Sequence, residues 1–219
     1  MTMRVDVYQN LLDANRRVAE ENRREFAARG IFAVNLIGSP GCGKTTLLEK
    51  TLRRLGVVRA AVIEGDLETS RDAERIAKCG VPAVQINTSG GCHLDAAMVK
   101  SALPGLPPAG WNLLFIENVG NLVCPAVYDL GEHAKVAVLS VAEGDDKPAK
   151  YPVIFRNSRA AVIAKLDLLP HCDFSLDAAL RDIRIANPGL PCFPLSARTG
   201  EGMDAWLEWL TQGVAGARC

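Results

Sequence analysis

Nine residues, Gly38-Ser39-Pro40-Gly41-Cys42-Gly43-Lys44-Thr45-Thr46, hold the most readable chemistry in the chain. They fit G-x-x-x-x-G-K-S/T, a spacing in which glycines let successive backbone N–H groups converge on phosphate oxygens. A helix starting directly after the loop adds favourable partial positive charge. Lys44 is placed to reach the β- and γ-phosphates of a nucleotide, and the Thr45 hydroxyl to ligate Mg²⁺. Gly38, Gly41, Cys42, Gly43 and Thr46 complete the cradle. Cys42 is either a small residue tolerated in the loop or a redox-sensitive thiol beside the phosphates.

Two carboxylates stand where a nucleotide site needs them. Asp66 ends the apolar run AAVIEGD, and Glu117 ends the run in LLFIENVG. At the carboxyl ends of strands such acids can hold Mg²⁺ or a water bound to it, although the plainer role is a solvated strand cap. Glu117-Asn118-Val119-Gly120 also has the form of a switch segment, with E-x-x-G for the commoner D-x-x-G. Lys44, Thr45, Asp66 and Glu117 are the expected catalytic set. Base choice falls to Ala164-Lys165-Leu166-Asp167. Guanine-reading sites carry N-K-x-D, whose aspartate accepts hydrogen bonds from guanine N1 and N2. Lys165 and Asp167 fit this pattern, and Ala164 replaces the asparagine. Ser196-Ala197-Arg198 has the S-A-K/R form whose backbone lies near guanine O6. Together these elements favour GTP over ATP.

Only three histidines occur, and His93 follows Cys92 directly in SGGCHLD. Adjacent residues rarely aim both reactive atoms at one carbonyl, which speaks against a nucleophile with its base. A loop entering the helix LDAAMVK is the plain reading. Cys124, a few residues after Glu117 in GNLVCPAVYD, adds a third donor whose position nucleotide state could control. Thiolate and imidazole suit ions such as Ni²⁺ or Zn²⁺. Three ligands are few for a closed site, and a symmetric dimer sharing them would complete it.

These residues need a scaffold. FAVNLIG (32–38), AAVIEGD (60–66), PAVQINT (82–88), NLLFIENV (112–119), KVAVLSVAEG (135–144) and AAVIAKLD (160–167) each read as a strand buried on both faces. CFPLS (192–196) is a candidate final strand. Helical stretches such as TTLLEKTLRRLG and SRDAERIAKCG lie between strands, so the expectation is an α/β fold with a mostly parallel sheet flanked by helices. Residues 1–30 read as a helical segment, with Leu11, Leu12, Val18 and Phe26 on one side and Gly30 as its stop. Residues 31–213 form the expected nucleotide-binding domain, and 214–219 a tail.

At 219 residues and 48% hydrophobic content, one full core is the default. The 25 basic and 25 acidic residues cancel, which gives no electrostatic reason to expect nucleic acid or an anionic membrane as partner. No apolar run reaches transmembrane length and MTMRVDVYQN lacks the regions of a signal peptide, so a cytoplasmic location is expected. Seven cysteines without a C-x-x-C pair suit free thiols or metal ligands better than a disulfide framework.

The combination of GSPGCGKTTLLEKTL, VIEGDLETSRDAERI, TSGGCHLDAAMV, FIENVGNLVCPAVYDLGE, VAEGDDKPAKYP and SARTGEGMDAWLEWL closely resembles the HypB family. These are GTPases of the SIMIBI P-loop class that assist nickel insertion into nickel–iron hydrogenase. The resemblance spans about residues 5 to 212. UreG, the related urease accessory GTPase, typically reads G-G-C-P-H, so the adjacent Cys92 and His93 favour the hydrogenase branch. The resemblance implies a GTP-dependent homodimer with nickel or zinc at its interface, held by Cys92, His93 and Cys124 of both subunits. It also implies Asp145 and Lys147 near the nucleotide or the dimer contact, and as partners a HypA-like nickel protein and the hydrogenase large subunit. The histidine-rich tract and N-terminal cysteine motif of some members are missing from this sequence, so its nickel is expected at the interface site. GTP and Mg²⁺ would order the Glu117 segment and assemble the site, and hydrolysis would loosen it. Slow turnover is expected, since no arginine finger is identifiable. The competing readings are a UreG-like accessory GTPase, a metal-storage or sensing module with a vestigial nucleotide site, and a kinase.

Overall fold

The computed structural model describes residues 7–66 and 75–217. Among these residues, seven strands form one sheet: β1 (Phe32–Ile37), β2 (Ala60–Asp66), β3 (Ala83–Asn87), β4 (Leu113–Glu117), β5 (Ala134–Ser140), β6 (Ala160–Ala164) and β7 (Cys192–Pro194). Their order is β3-β2-β4-β1-β5-β6-β7, and every pairing is parallel. β1 lies at the centre between β4 and β5, so the loops leaving β1 and β4 open side by side at the carboxyl edge. That is where an open α/β sheet binds ligands.

The strands form where apolar, β-branched runs can be covered on both faces. β1 alternates strictly. Val34 and Leu36 pack with Leu47, Leu48, Trp206 and Leu210 on one face. On the other face, Ala33 meets Phe26 and Leu114, while Ile37 meets Ile154 and Phe155. Burying each large side chain contributes roughly 1.5–3 kcal/mol. β3 departs from the expected double burial, because Ala83 and Asn87 are exposed and the residues between them only half-buried. It is an edge strand, paired with β2 alone. Two other strands end early. β5 stops at Ser140, whose side chain caps a turn of 3-10 helix at Val141–Glu143, and β6 stops before Lys165 turns left-handed at φ 61°.

Helix α1 (Val7–Ala28) lies on the sheet through Ala19, Asn22 and Phe26, all buried. Leu11 does not join that face and stays 56% exposed. The helix docks further along, where Asn15 bonds Asp129 O (2.8 Å) and Ala96 N (2.8 Å). Helix α2 (Lys44–Leu52) is braced by the C-terminal helix Met203–Gly216 through a bond from Trp206 Nε1 to Thr51 Oγ1 (2.9 Å). That last helix reaches Gly216, into the span read as a tail. The expected helix SRDAERIAKCG lies outside the described residues as far as residue 74. Among the described residues, no helix is long and apolar enough to cross a membrane.

Candidate nucleotide site and metal-ligand cluster

The loop after β1 delivers its glycines where backbone geometry needs them. Gly41 (φ 75°) and Gly43 (φ 105°) sit in the left-handed region, and α2 starts at Lys44 directly after them. A Cβ on Gly38 would lie 2.4 Å from Val138 O and 2.6 Å from Cys42 Sγ, so only glycine fits. The loop borders a cavity of about 390 Å³, shared with Asp66 from β2, Glu117 from β4 and Lys165 from the end of β6.

Lys44 is buried and donates from Nζ to Gly38 O (3.0 Å) and Ser39 O (3.3 Å). Those carbonyls hold the ammonium at the cavity wall. Thr45 Oγ1 donates to Glu117 Oε1 at 2.7 Å. With Asp66 on the same cavity, these hydroxyl and carboxylate oxygens form a hard donor set, and the chemistry fits Mg²⁺. Gly120 explains why the segment after Glu117 seats against the loop. A Cβ there would lie 2.9 Å from Pro40 Cα and Cγ. Three cavity residues were not anticipated: Glu64, Gly65 and Arg75. Arg75 donates to Thr46 Oγ1 (3.2 Å) and Glu49 Oε2 (2.9 Å), which places a guanidinium beside the phosphate loop.

Cys42 faces the core rather than the cavity. Burial pushes its thiol up to about 11, so it stays protonated and poorly reactive at neutral pH. The loop-packing role accounts for it, not redox sensing.

The residues expected to read the base divide between two places. Lys165 lies over the phosphate loop, with Nζ donating to Gly41 O (2.6 Å). Asp167 stands with the S-A-R element, its Oδ1 accepting from Ser196 Oγ (2.5 Å) and its Oδ2 3.9 Å from Arg198. Ser196 Oγ also accepts from Thr199 N (3.1 Å), which holds Ala197 and Arg198 in a tight turn. Ala164 is buried among apolar side chains, where an asparagine amide would lose water without that packing. Asp145 accepts from Ser175 N (2.9 Å), and Lys147 stacks over Tyr151 at 5.3 Å. Neither borders the phosphate cavity.

Cys92, His93 and Cys124 converge. Their ligand atoms lie within 4.8 Å of one another, with Cys92 Sγ 3.5 Å from His93 Nδ1. A tight loop presents the first two: Ser89 (φ 50°) and Gly90 (φ 89°) turn the chain left-handed, and Thr88 Oγ1 closes it on Gly91 O (2.8 Å). Asp95 then caps the helix Ala96–Ala102 by accepting from Met98 N (2.8 Å). The segment is therefore both a loop entering a helix and the carrier of two of the three converging donors. Cys124 opens the one-turn helix Cys124–Val127, and the His93 ring sits against Tyr128 (3.9 Å between centroids). The Cys92 thiol is pushed up by its hydrogen bond with Cys124 and by burial. Burial pushes His93 down, which favours the neutral imidazole that can ligate a metal. Val123 (59% exposed) and Val127 (41% exposed) leave an apolar rim beside the three ligands.

Two hydrogen bonds join this cluster to the nucleotide segment. Asn121 Nδ2 donates to Cys92 O (3.2 Å), and Asn118 Oδ1 accepts from Leu94 N (3.0 Å).

Comparison with known proteins points the same way. The family described as CobW/HypB/UreG, nucleotide-binding domain, matches residues 32–194. Hydrogenase maturation factor HypB of Azotobacter chroococcum mcd 1 is 54% identical over 207 residues, covering 94% of this chain and 68% of that protein. The crystal structure of HypB from Helicobacter pylori in complex with nickel has a TM-score of 0.87 at 36% identity, covering 93% of this chain and 96% of that one. HypB from Archaeoglobus fulgidus gives 0.85 at 37% identity, covering 93% of this chain and all of that one.

Proposed function

The chain belongs to the CobW/HypB/UreG nucleotide-binding family and, within it, to the HypB hydrogenase maturation factors, and from that premise we propose that it is a GTP-hydrolysing nickel carrier whose metal site forms between two copies. One observation carries the reading: two thiols and an imidazole converge where the Cys92–His93 loop is hydrogen-bonded to the segment that follows Glu117.

In this reading the loop amides and Lys44 take the triphosphate, Lys44 leaving the Gly38 and Ser39 carbonyls to do so. Asp167, steadied by Ser196, accepts hydrogen bonds from guanine N1 and N2. Thr45, Glu117 and Asp66 would hold Mg²⁺, which when bound neutralises charge on the β- and γ-phosphates. Water attacks the γ-phosphorus, the bond to the β-bridging oxygen breaks, and GDP, phosphate and a proton leave. The Glu117 segment responds to whether the γ-phosphate is present, an order change of the kind that drives other nucleotide switches.

Nickel is the cargo. Cys92, His93 and Cys124 supply two sulfurs and one nitrogen per chain, and a second copy packed on the Val123–Val127 rim completes the coordination. Hydrolysis loosens the pair and passes nickel to a HypA-like protein and then the hydrogenase large subunit. Nickel titration with GDP and with a non-hydrolysable GTP analogue tests this. The expected result is one nickel per two chains with the analogue, abolished by Cys92→Ala or Cys124→Ala. Equal affinity in both nucleotide states would sink the gating. Faster hydrolysis of ATP than of GTP would sink the guanine assignment.

A further inference from the structure

Three hydrogen bonds separate the phosphate-binding lysine from the backbone of a metal-ligand cysteine. Lys44 Nζ donates to Gly38 O (3.0 Å), and the same carbonyl accepts the Asn121 N–H (3.0 Å). The Asn121 side chain then divides its two functions. Nδ2 donates to Cys92 O (3.2 Å), while Oδ1 accepts from Val123 N (2.9 Å), the residue before Cys124. One asparagine therefore touches the phosphate loop and both cysteine-bearing loops.

A buried polar chain holds the frame beneath it. Asn118 accepts from Leu94 N and donates to Asn35 Oδ1 (3.2 Å), and Asn35 donates to Glu132 Oε1 (3.1 Å). Lys135, 3.8 Å from Glu132, donates to Ala126 O (3.0 Å) and Tyr128 O (2.9 Å), just beyond Cys124. These four side chains are buried. They anchor the two ligand loops to the sheet. Asn121 is only half-buried, and it is tied to the carbonyl that Lys44 must release.

We infer that Asn121 is the positioning residue through which phosphate binding sets the geometry of the Cys92–His93–Cys124 site. The inference rests on the nucleotide-gated reading above. A bound phosphate draws Lys44 away from Gly38 O, and that carbonyl is left with Asn121 N–H as its partner. Any movement of the loop around the phosphate is passed to Asn121, because Gly120 packed on Pro40 keeps the segment from moving alone. Through its amide, Asn121 then shifts the Cys92 carbonyl and the Val123 N–H together.

The test is Asn121→Asp in the full-length chain. It keeps the oxygen that accepts from Val123 N and replaces the donor facing Cys92 O with a second acceptor. The readout is the ratio of nickel affinities between the GTP-analogue and GDP states, followed by thiolate-to-nickel absorption. The ratio should move toward one by about fivefold, the factor one net hydrogen bond supplies. In metal-free protein, amide exchange of residues 89–96 should lose its nucleotide dependence. If the aspartate variant fails to fold, Asn121→Ala provides the same two measurements. A wild-type ratio above one that either variant preserves overturns the inference alone. A wild-type ratio of one overturns the gated reading and the inference with it.

Discussion

Replacing Gly120 by alanine puts a methyl group in place of one hydrogen at the junction between the Glu117 segment and the phosphate loop. The added Cβ would lie 2.9 Å from Pro40 Cα, 2.9 Å from Pro40 Cγ and 3.0 Å from Pro40 N. Two of these atoms are backbone and the third belongs to a ring, so no flexible side chain can swing aside. Relieving the contact requires the Glu117 segment to back away by about half an ångström. Overpacking of this kind destabilises by about 1–3 kcal/mol. For a domain of this size that lowers Tm by about 2–12 °C. The same displacement pulls Glu117 from Thr45, now 2.7 Å apart, and if Glu117 acts in hydrolysis as proposed, misplacing it by such a distance slows turnover by about 10- to 100-fold. Gly189→Ala is the matched control, since nothing lies within 4 Å of its Cβ position and its φ is not positive. Thermal melts and GTP turnover on the two variants decide the matter. If Gly120→Ala melts and turns over like Gly189→Ala, the packing of switch on loop is not what holds the site.

Trp206→Phe removes the bond to Thr51 and leaves a buried hydroxyl without it, so urea denaturation should show a loss of about 1–3 kcal/mol. Asp167→Asn should weaken GTP binding by about 10- to 100-fold, the worth of a charge-assisted hydrogen bond, with xanthosine triphosphate gaining in competition assays. Cys42 should resist alkylation in the native protein at pH 8 while Cys92 reacts, as peptide mass mapping will reveal. Because the folded Cys42 pKa is raised, its neutral thiol stabilises the fold below about pH 9, and that contribution is lost as pH rises through about 11. The stability of wild type relative to Cys42→Ala should therefore fall across that interval, and a flat difference would contradict the burial argument.

The phosphate loop was legible because its spacing is dictated by backbone approach to phosphate, a local property of nine residues. All seven strands lie on the runs read for them, and central parallel strands are covered on both faces. β3 reads the same locally, yet its two faces are half open because pairing put it at the edge, and pairing leaves no trace in a five-residue stretch. Cys42 sits in a loop whose glycines announce phosphate, but only the packing of α2 on β1 turns its thiol inward. The linking roles of Asn118 and Asn121 escaped notice for a different reason. A loop asparagine has no periodicity, and their partners Leu94 and Cys92 lie 24 and 29 residues away. Arg75 likewise enters the cavity by a contact that no spacing rule announces.

The central position of β1 sets a timetable for folding. Phe32 pairs with Leu113 of β4, and Val34 with Ala134 of β5, so the strand carrying the phosphate loop waits about 80 to 100 residues for either neighbour. At synthesis rates of about 5–20 residues per second, β1 stays unpaired on the ribosome for at least about 4 seconds. Closing such distant contacts is also slow after release, because chain entropy is lost before pairing compensates it. During that interval an apolar strand is open to other chains, and no nucleotide can yet bind to protect it. Growth temperature and chaperone supply should therefore govern the yield of this protein more strongly than added GTP.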